Sequence, residues 1–101
     1  MRIMVAMFIV RNCFVAKPGS AGKLAGMMKE AFAEAGVPNH RVLTDFTGEL
    51  NRVIVEFQVE SIEDVESTIA RYRSSKAFQE KMAGKYTELW QSGVREILRV
   101  M

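Results

Sequence analysis

Two segments whose apolar residues recur at spacings of three and four, set among four β-prone segments, predict an α+β fold. Their order is β-α-β-β-α-β, which builds a four-stranded antiparallel sheet with two helices on one face, the ferredoxin-like sandwich. The first segment is apolar on both alternating sets of positions, as expected of a central strand that needs cover on both sides. Two helices cover one sheet face only, so a second copy of the chain is expected against the other.

The first strand is expected over residues 3 to 15. Ile3, Val5, Met7, Ile9, Cys13 and Val15 fall on one side, with Phe8, Val10, Asn12 and Phe14 on the other. Lys17, Pro18 and Gly19 stop it as a turn, and Ser20 is placed to cap the helix that follows. Between Ala21 and Ala35, the residues Leu24, Met27, Met28, Ala31, Phe32 and Ala35 form one apolar stripe. Gly22 and Gly26 weaken that helix by up to about 1 kcal/mol each relative to Ala, so it relies on packing. Gly36 suits a left-handed cap, and Pro38 prevents continuation.

Arg41 to Phe46 and Arg52 to Glu60 read as a hairpin around Thr47, Gly48, Glu49, Leu50 and Asn51. In its second strand Val53, Val55, Phe57 and Val59 alternate with Arg52, Ile54, Glu56 and Gln58, the pattern of a strand with one buried face. Ser61 and Asp64 resemble a capping arrangement for a helix that turns Ile62, Val65, Ile69 and Tyr72 to one side. A second start at Ser75 leads through Phe78, Met82 and Tyr86 to Leu89. The region therefore reads as two short helices jointed near Arg73 to Ser75, with Gly84 adding a bend. Val94 to Met101 forms the fourth strand. Leu43 or Ile54, together with Ile97, are candidates for the uncovered sheet face.

Composition excludes several classes. At 101 residues, 49% hydrophobic and 26% charged, the chain has room for one domain spanning 1–101 and neither the charge excess of disorder nor an apolar run that spans a bilayer. The net charge is +2, but Lys and Arg interleave with Asp and Glu instead of forming a stripe, which argues against nucleic acid. Arg11 and Asn12 break the apolar start, and no small-residue cleavage site follows, so a cytoplasmic protein is expected. One Cys and one His do not assemble a structural zinc site, and no metal or other cofactor is expected.

The strand ending Phe14, Val15, Ala16, the turn Lys17, Pro18, Gly19, the amphipathic helix after it, the hairpin and the Glu-rich helix start resemble the dimeric α/β-barrel superfamily. The small NIPSNAP-like and antibiotic-biosynthesis-monooxygenase-like domains are the most similar. The resemblance implies a homodimer that pairs two sheets into a barrel, with a pocket between each sheet and its own helices. It does not select a reaction, because the superfamily includes cofactor-independent monooxygenases, haem-degrading monooxygenases, lactone isomerases, haem peroxidases and members without known activity. The haem-degrading type uses an Asn on the first strand, a Trp and a haem-ligating His. Asn12 and Trp90 match the first two, whereas His40 precedes the second strand instead of lying on a later helix.

Taken by themselves, the polar residues leave two readings open. Asn12, inside an apolar strand, either orients a ligand oxygen or is satisfied structurally. Trp90 and Tyr86, four residues apart, either wall a pocket for a planar ligand or pack in the core. His40 is a loop residue available as a general base. Cys13 reads as a structural thiol, and Asp45 and Glu56 as solvated carboxylates or, if they meet across the hairpin, as a pair of raised pKa. The seven Met residues, notably Met27 and Met28, suit either an adaptable cavity or an irregular core. The function expected is a homodimer binding a small apolar or aromatic ligand between sheet and helices. The alternative is a cofactor-independent monooxygenase or isomerase acting on a planar aromatic.

Overall fold

The computed structural model describes residues 7–48, 50–82 and 88–101. Strand β1 spans Phe8–Ala16, helix α1 Ala21–Glu34, β2 Arg41–Thr44, β3 Arg52–Val59, α2 Glu63–Arg73 and β4 Trp90–Arg99, with a π-helical turn at Phe78–Met82. The strands form one antiparallel sheet in the order β2-β3-β1-β4, so β1 and β3 are central. This is the α+β, ferredoxin-like arrangement the sequence predicts. Residues 3–6 of the expected first strand, Glu49 of the hairpin turn, the Gly84 bend and Tyr86 lie outside the described residues.

Alternation on the two central strands decides what lies inside. Val10 and Ala16 of β1 and Val53, Val55, Phe57 and Val59 of β3 are buried against the helices. Leu24, Ala25, Met28, Ala31 and Phe32 of α1 meet them, with Val65, Ile69 and Tyr72 of α2. Phe32 ties the layers together, stacking on Tyr72 at 4.4 Å between centroids and lying 5.9 Å from the ring of Phe57. Truncating a buried Phe of this kind costs about 3–5 kcal/mol.

Helix ends follow local chemistry. Gly36, at φ 66°, closes α1, and the Val37 N–H donates back to the Phe32 carbonyl with Val37 buried over the last turn. Ser61 Oγ accepts the Asp64 N–H at 3.3 Å, as its sequence position suggests. Ser20 departs from expectation: its side chain makes no cap hydrogen bond, and its own N–H donates to the Lys17 carbonyl. The break after α2 falls at Ser74 and Ser75. There the Ser75 hydroxyl donates to the Tyr72 carbonyl at 2.7 Å and accepts the Phe78 N–H at 3.2 Å. Glu34 Oε2 accepts the Ala77 N–H at 2.9 Å, so α1 holds the start of the second helical segment.

Two strand boundaries and one face assignment differ from expectation. β2 stops at Thr44 instead of Phe46, because the Asp45 carboxylate accepts the Arg52 N–H at 2.8 Å and its Nε at 2.9 Å, taking the place of a ladder bond. β4 starts at Trp90 instead of Val94. Ile97 pairs with Val10 and therefore lies on the helix side, beside Ile62, Val65 and Ile69, and not on the uncovered face.

The face away from the helices carries Ile9, Val15, Leu43, Ile54, Val94 and Leu98, none of them fully buried. At its centre Glu56 is only 4% exposed. It accepts Nε of Arg41 and Nε of Arg11, each at 2.7 Å, from the strands on either side. Asp45 is engaged by Arg52, so the two carboxylates form separate ion pairs and no shared acid pair exists. Burial pushes the Glu56 carboxyl up, but the hydrogen bonds and charges of Arg41 and Arg11 outweigh it and hold the pKa below the ordinary value of 4.5. With the folded pKa depressed, the stabilisation from Glu56 is complete above about pH 4.5 and is lost as pH falls through the lower folded value. Glu56→Gln is expected to destabilise the protein by about 1–3 kcal/mol at pH 7. In chemical denaturation at fixed protein concentration, the gap between variant and wild type should shrink as the pH is lowered below 4.5; a gap unchanged from pH 7 to pH 3 would refute this account.

Candidate functional site

Asn12 lies near the middle of β1 on the helix side and is 5% exposed. Register places it opposite Val55 on β3 and Arg95 on β4, and its Oδ1 accepts the Arg95 Nε–H at 2.7 Å. The buried amide oxygen is therefore satisfied by a guanidinium reaching in from the edge strand.

Trp90 reaches the same side through a bulge. Val15 pairs with Ser92, but Ala16 pairs with Trp90, so Gln91 is the extra residue. Without it the alternation along β4 would turn Gln91 inward and Trp90 outward. The Trp90 indole nitrogen is buried, and the ring meets Phe14 edge to face at 5.4 Å and 74°. Gly93, opposite Phe14, leaves the space these rings fill: a Cβ there would lie 2.9 Å from Trp90 Cζ3 and 3.0 Å from Phe14 Cδ1.

Together these features enclose a cavity of about 190 Å³ between sheet and helices. Phe14, Trp90, Met28, Tyr72 and Phe78 supply its apolar wall, and Asn12, Arg95 and Arg73 its polar groups. Phe78 belongs to the π-helical turn, a distortion frequent at functional sites. Tyr72 meets Phe78 edge to face at 5.9 Å, which fixes the wall opposite the sheet. An apolar cavity of about 150 Å³ holds benzene, so this volume matches one aromatic ring with a small substituent.

Of the residues selected from sequence, Asn12 and Trp90 line this cavity, and Tyr86 lies outside the described residues. His40 is elsewhere: its Nδ1 donates to the Val37 carbonyl at 2.6 Å, its ring packs 5.9 Å from Phe32, and it borders a separate groove with Arg41, Glu56 and Gln58. Cys13 is on the uncovered face, where burial and the Glu96 carboxylate, 3.7 Å from its Sγ, push the thiol pKa up and keep it protonated at neutral pH. Met28 lines the cavity. Met27 is half-buried against the core.

Arg95, Arg73 and Phe78 were not singled out by sequence. Arg95 is one charge in a mixed strand, and only the β1–β4 register shows that it faces Asn12.

Gly93→Ala is expected to push Trp90 and Phe14 apart, destabilise the protein by about 1–3 kcal/mol and shrink the cavity. Trp90 is the sole tryptophan, so emission reports on this wall directly. An unchanged emission maximum with unchanged stability would show that the rings tolerate the methyl group.

No protein-family model matches the sequence, and no curated protein matches it. Solved structures do. A NIPSNAP family protein from Agrobacterium tumefaciens superposes with a TM-score of 0.80 at 16% identity, covering 100% of this chain and 91% of that one. An uncharacterised NIPSNAP-like domain protein from Burkholderia xenovorans gives 0.77 at 19% identity, covering 94% and 85%. An antibiotic biosynthesis monooxygenase-like protein from Chloroflexus aurantiacus gives 0.63 at 14% identity, covering 94% of each chain. The structural neighbours of this chain are thus NIPSNAP and antibiotic-biosynthesis-monooxygenase-like proteins, the superfamily its sequence resembles, and at these identities what they share with it is the fold.

Proposed function

We propose that the protein is a homodimer of the α/β-barrel kind that binds a small apolar or aromatic molecule in the cavity between its sheet and its helices. One observation carries this reading: a ring-sized cavity with five apolar or aromatic walls converges on a hydrogen-bonded Asn12–Arg95 pair. Such a combination of apolar lining and a few placed polar groups is typical of small-molecule sites.

The other face of the same sheet supports the dimer. Its apolar residues surround the Glu56 carboxylate, which is already ion-paired within one chain, so a second copy can cover them without leaving that acid unpaired. A cytoplasmic location is part of this reading, since a lone cysteine is compatible with a reducing compartment. No described helix is long and apolar enough to cross a membrane.

Sedimentation of the wild type at micromolar concentration is expected to give a dimer, and Ile54→Glu on the uncovered face a folded monomer. A wild-type monomer would remove the dimer. Neutral single-ring aromatics at about ten times their Kd should stabilise the protein by about 1.4 kcal/mol. That corresponds to roughly 4–8 °C per kcal/mol for a domain of this size. A panel that neither raises the melting temperature nor perturbs Trp90 emission would remove the pocket reading.

A second reading, cofactor-independent oxygenation or isomerisation of a planar aromatic, is favoured by the polar pair beside the aromatic wall, which can orient a substrate oxygen. It requires a substrate that itself donates electrons to oxygen. A hydroquinone and flavonoid screen without turnover would count against it, and turnover indifferent to Asn12→Ala would exclude Asn12 from the chemistry.

A further inference from the structure

The polar groups of the cavity are unbalanced in sign. Among the described residues, its lining brings together two guanidinium side chains, Arg73 from the end of α2 and Arg95 from β4, and no carboxylate. On the outer face of the sheet arginines meet acids: Arg11 and Arg41 share Glu56, and Arg52 holds Asp45. Among the described residues neither Arg73 nor Arg95 has an ion-pair partner. Among the described residues Arg95 commits only its Nε, to the neutral Asn12 amide, and that bond fixes the plane of the guanidinium while no described residue takes its terminal nitrogens. Glu63 and Glu66 border the adjoining groove that Arg95 also lines, without forming an ion pair with it. The Arg73 carbonyl accepts Gln79 Nε2 at 2.6 Å, which anchors the backbone from which that side chain extends.

We propose that the cavity selects a small aromatic carboxylate, one ring against Phe14, Trp90 and Phe78 with its carboxylate held by Arg95 and Arg73. This rests on the ligand-binding reading above and names the ligand's class. A planar guanidinium pairs with a carboxylate through parallel N–H donors, and the apolar wall beside it takes the ring. The volume limits the ligand to a single ring bearing a short acidic group. Asn12 is a positioning residue here, since it acts through Arg95.

The test is a titration of the intact protein with benzoate and its neutral counterpart benzamide, followed by calorimetry and by Trp90 emission. Benzoate is expected to bind at least about tenfold more tightly than benzamide, a difference of the size of one charge-assisted contact. Arg73→Gln, at an exposed position whose side chain makes no hydrogen bond to a described residue, is expected to weaken benzoate several-fold and leave benzamide unchanged. Arg95→Gln should weaken benzoate by a larger factor than benzamide, with circular dichroism confirming that the sheet survives. Equal binding of the two compounds, or benzoate binding indifferent to both substitutions, overturns the proposal and leaves a neutral pocket intact. Binding of neither compound, nor of any neutral aromatic, overturns the proposal together with the reading on which it rests.

Discussion

The register of β1 against its two neighbours is the constraint from which the other features follow. Side chains alternate strictly along a strand, so a slip of one residue would exchange the whole inner set for the outer one. In the observed register Arg11 meets Glu56 on the outer face, and Asn12 meets Arg95 and Phe14 meets Gly93 on the inner one. Shifted by one with β3 turned over, the Glu56 carboxylate would face the apolar residues of the two helices while Val55 and Phe57 turned away from them, and a charge without a partner there costs several kcal/mol. The ion pair on one face and the hydrophobic core on the other thus enforce the same register. The pairing that makes the site is fixed by residues outside the site.

The cavity arises because the helical layer is interrupted where the sheet is also incomplete. α2 ends at Arg73, and Ser75 turns the chain into a new helical segment at Phe78. Beneath that joint, Gly93 presents no side chain, and the β4 bulge swings Trp90 across the gap. Filling the space would take a larger residue at position 93, which the two rings forbid. The opening is therefore a product of mutually dependent parts: the bulge needs the glycine, and the glycine would leave an unfilled hole without the bulge.

The periodic features were legible in the chain. The β3 alternation from Val53 to Val59, the α1 stripe from Leu24 to Phe32 and the break near Ser75 match the structure because each is a local pattern enforced by burial. What could not be read is anything that depends on how distant segments meet. Ile97 looks like a residue for the uncovered face until its pairing with Val10 is known. Asp45 and Glu56 look like a possible pair until each is seen to be claimed by arginines. Trp90 was found as a residue type, but its direction depends on a single inserted glutamine, and Arg95 carried no local signal at all. Sites of this kind are assembled by register, and one sequence records periodicity far better than register.

Charge illustrates the same point at the scale of the whole molecule. A net charge of +2 spread over interleaved acids and bases says little about partners when read as composition. Placed in the fold, five of the arginines form two groups. Arg11, Arg41 and Arg52 are ion-paired on the sheet with Glu56 and Asp45 and act as structural cross-links between neighbouring strands. Arg73 and Arg95 stand at the wall of a small aromatic cavity, Arg95 oriented by an amide that cannot neutralise it. An amide at position 12 accomplishes what a carboxylate there would not, because it holds the guanidinium in place without cancelling its charge. That difference between Asn and Asp at one inward-facing position of β1 keeps the cavity receptive to an anion.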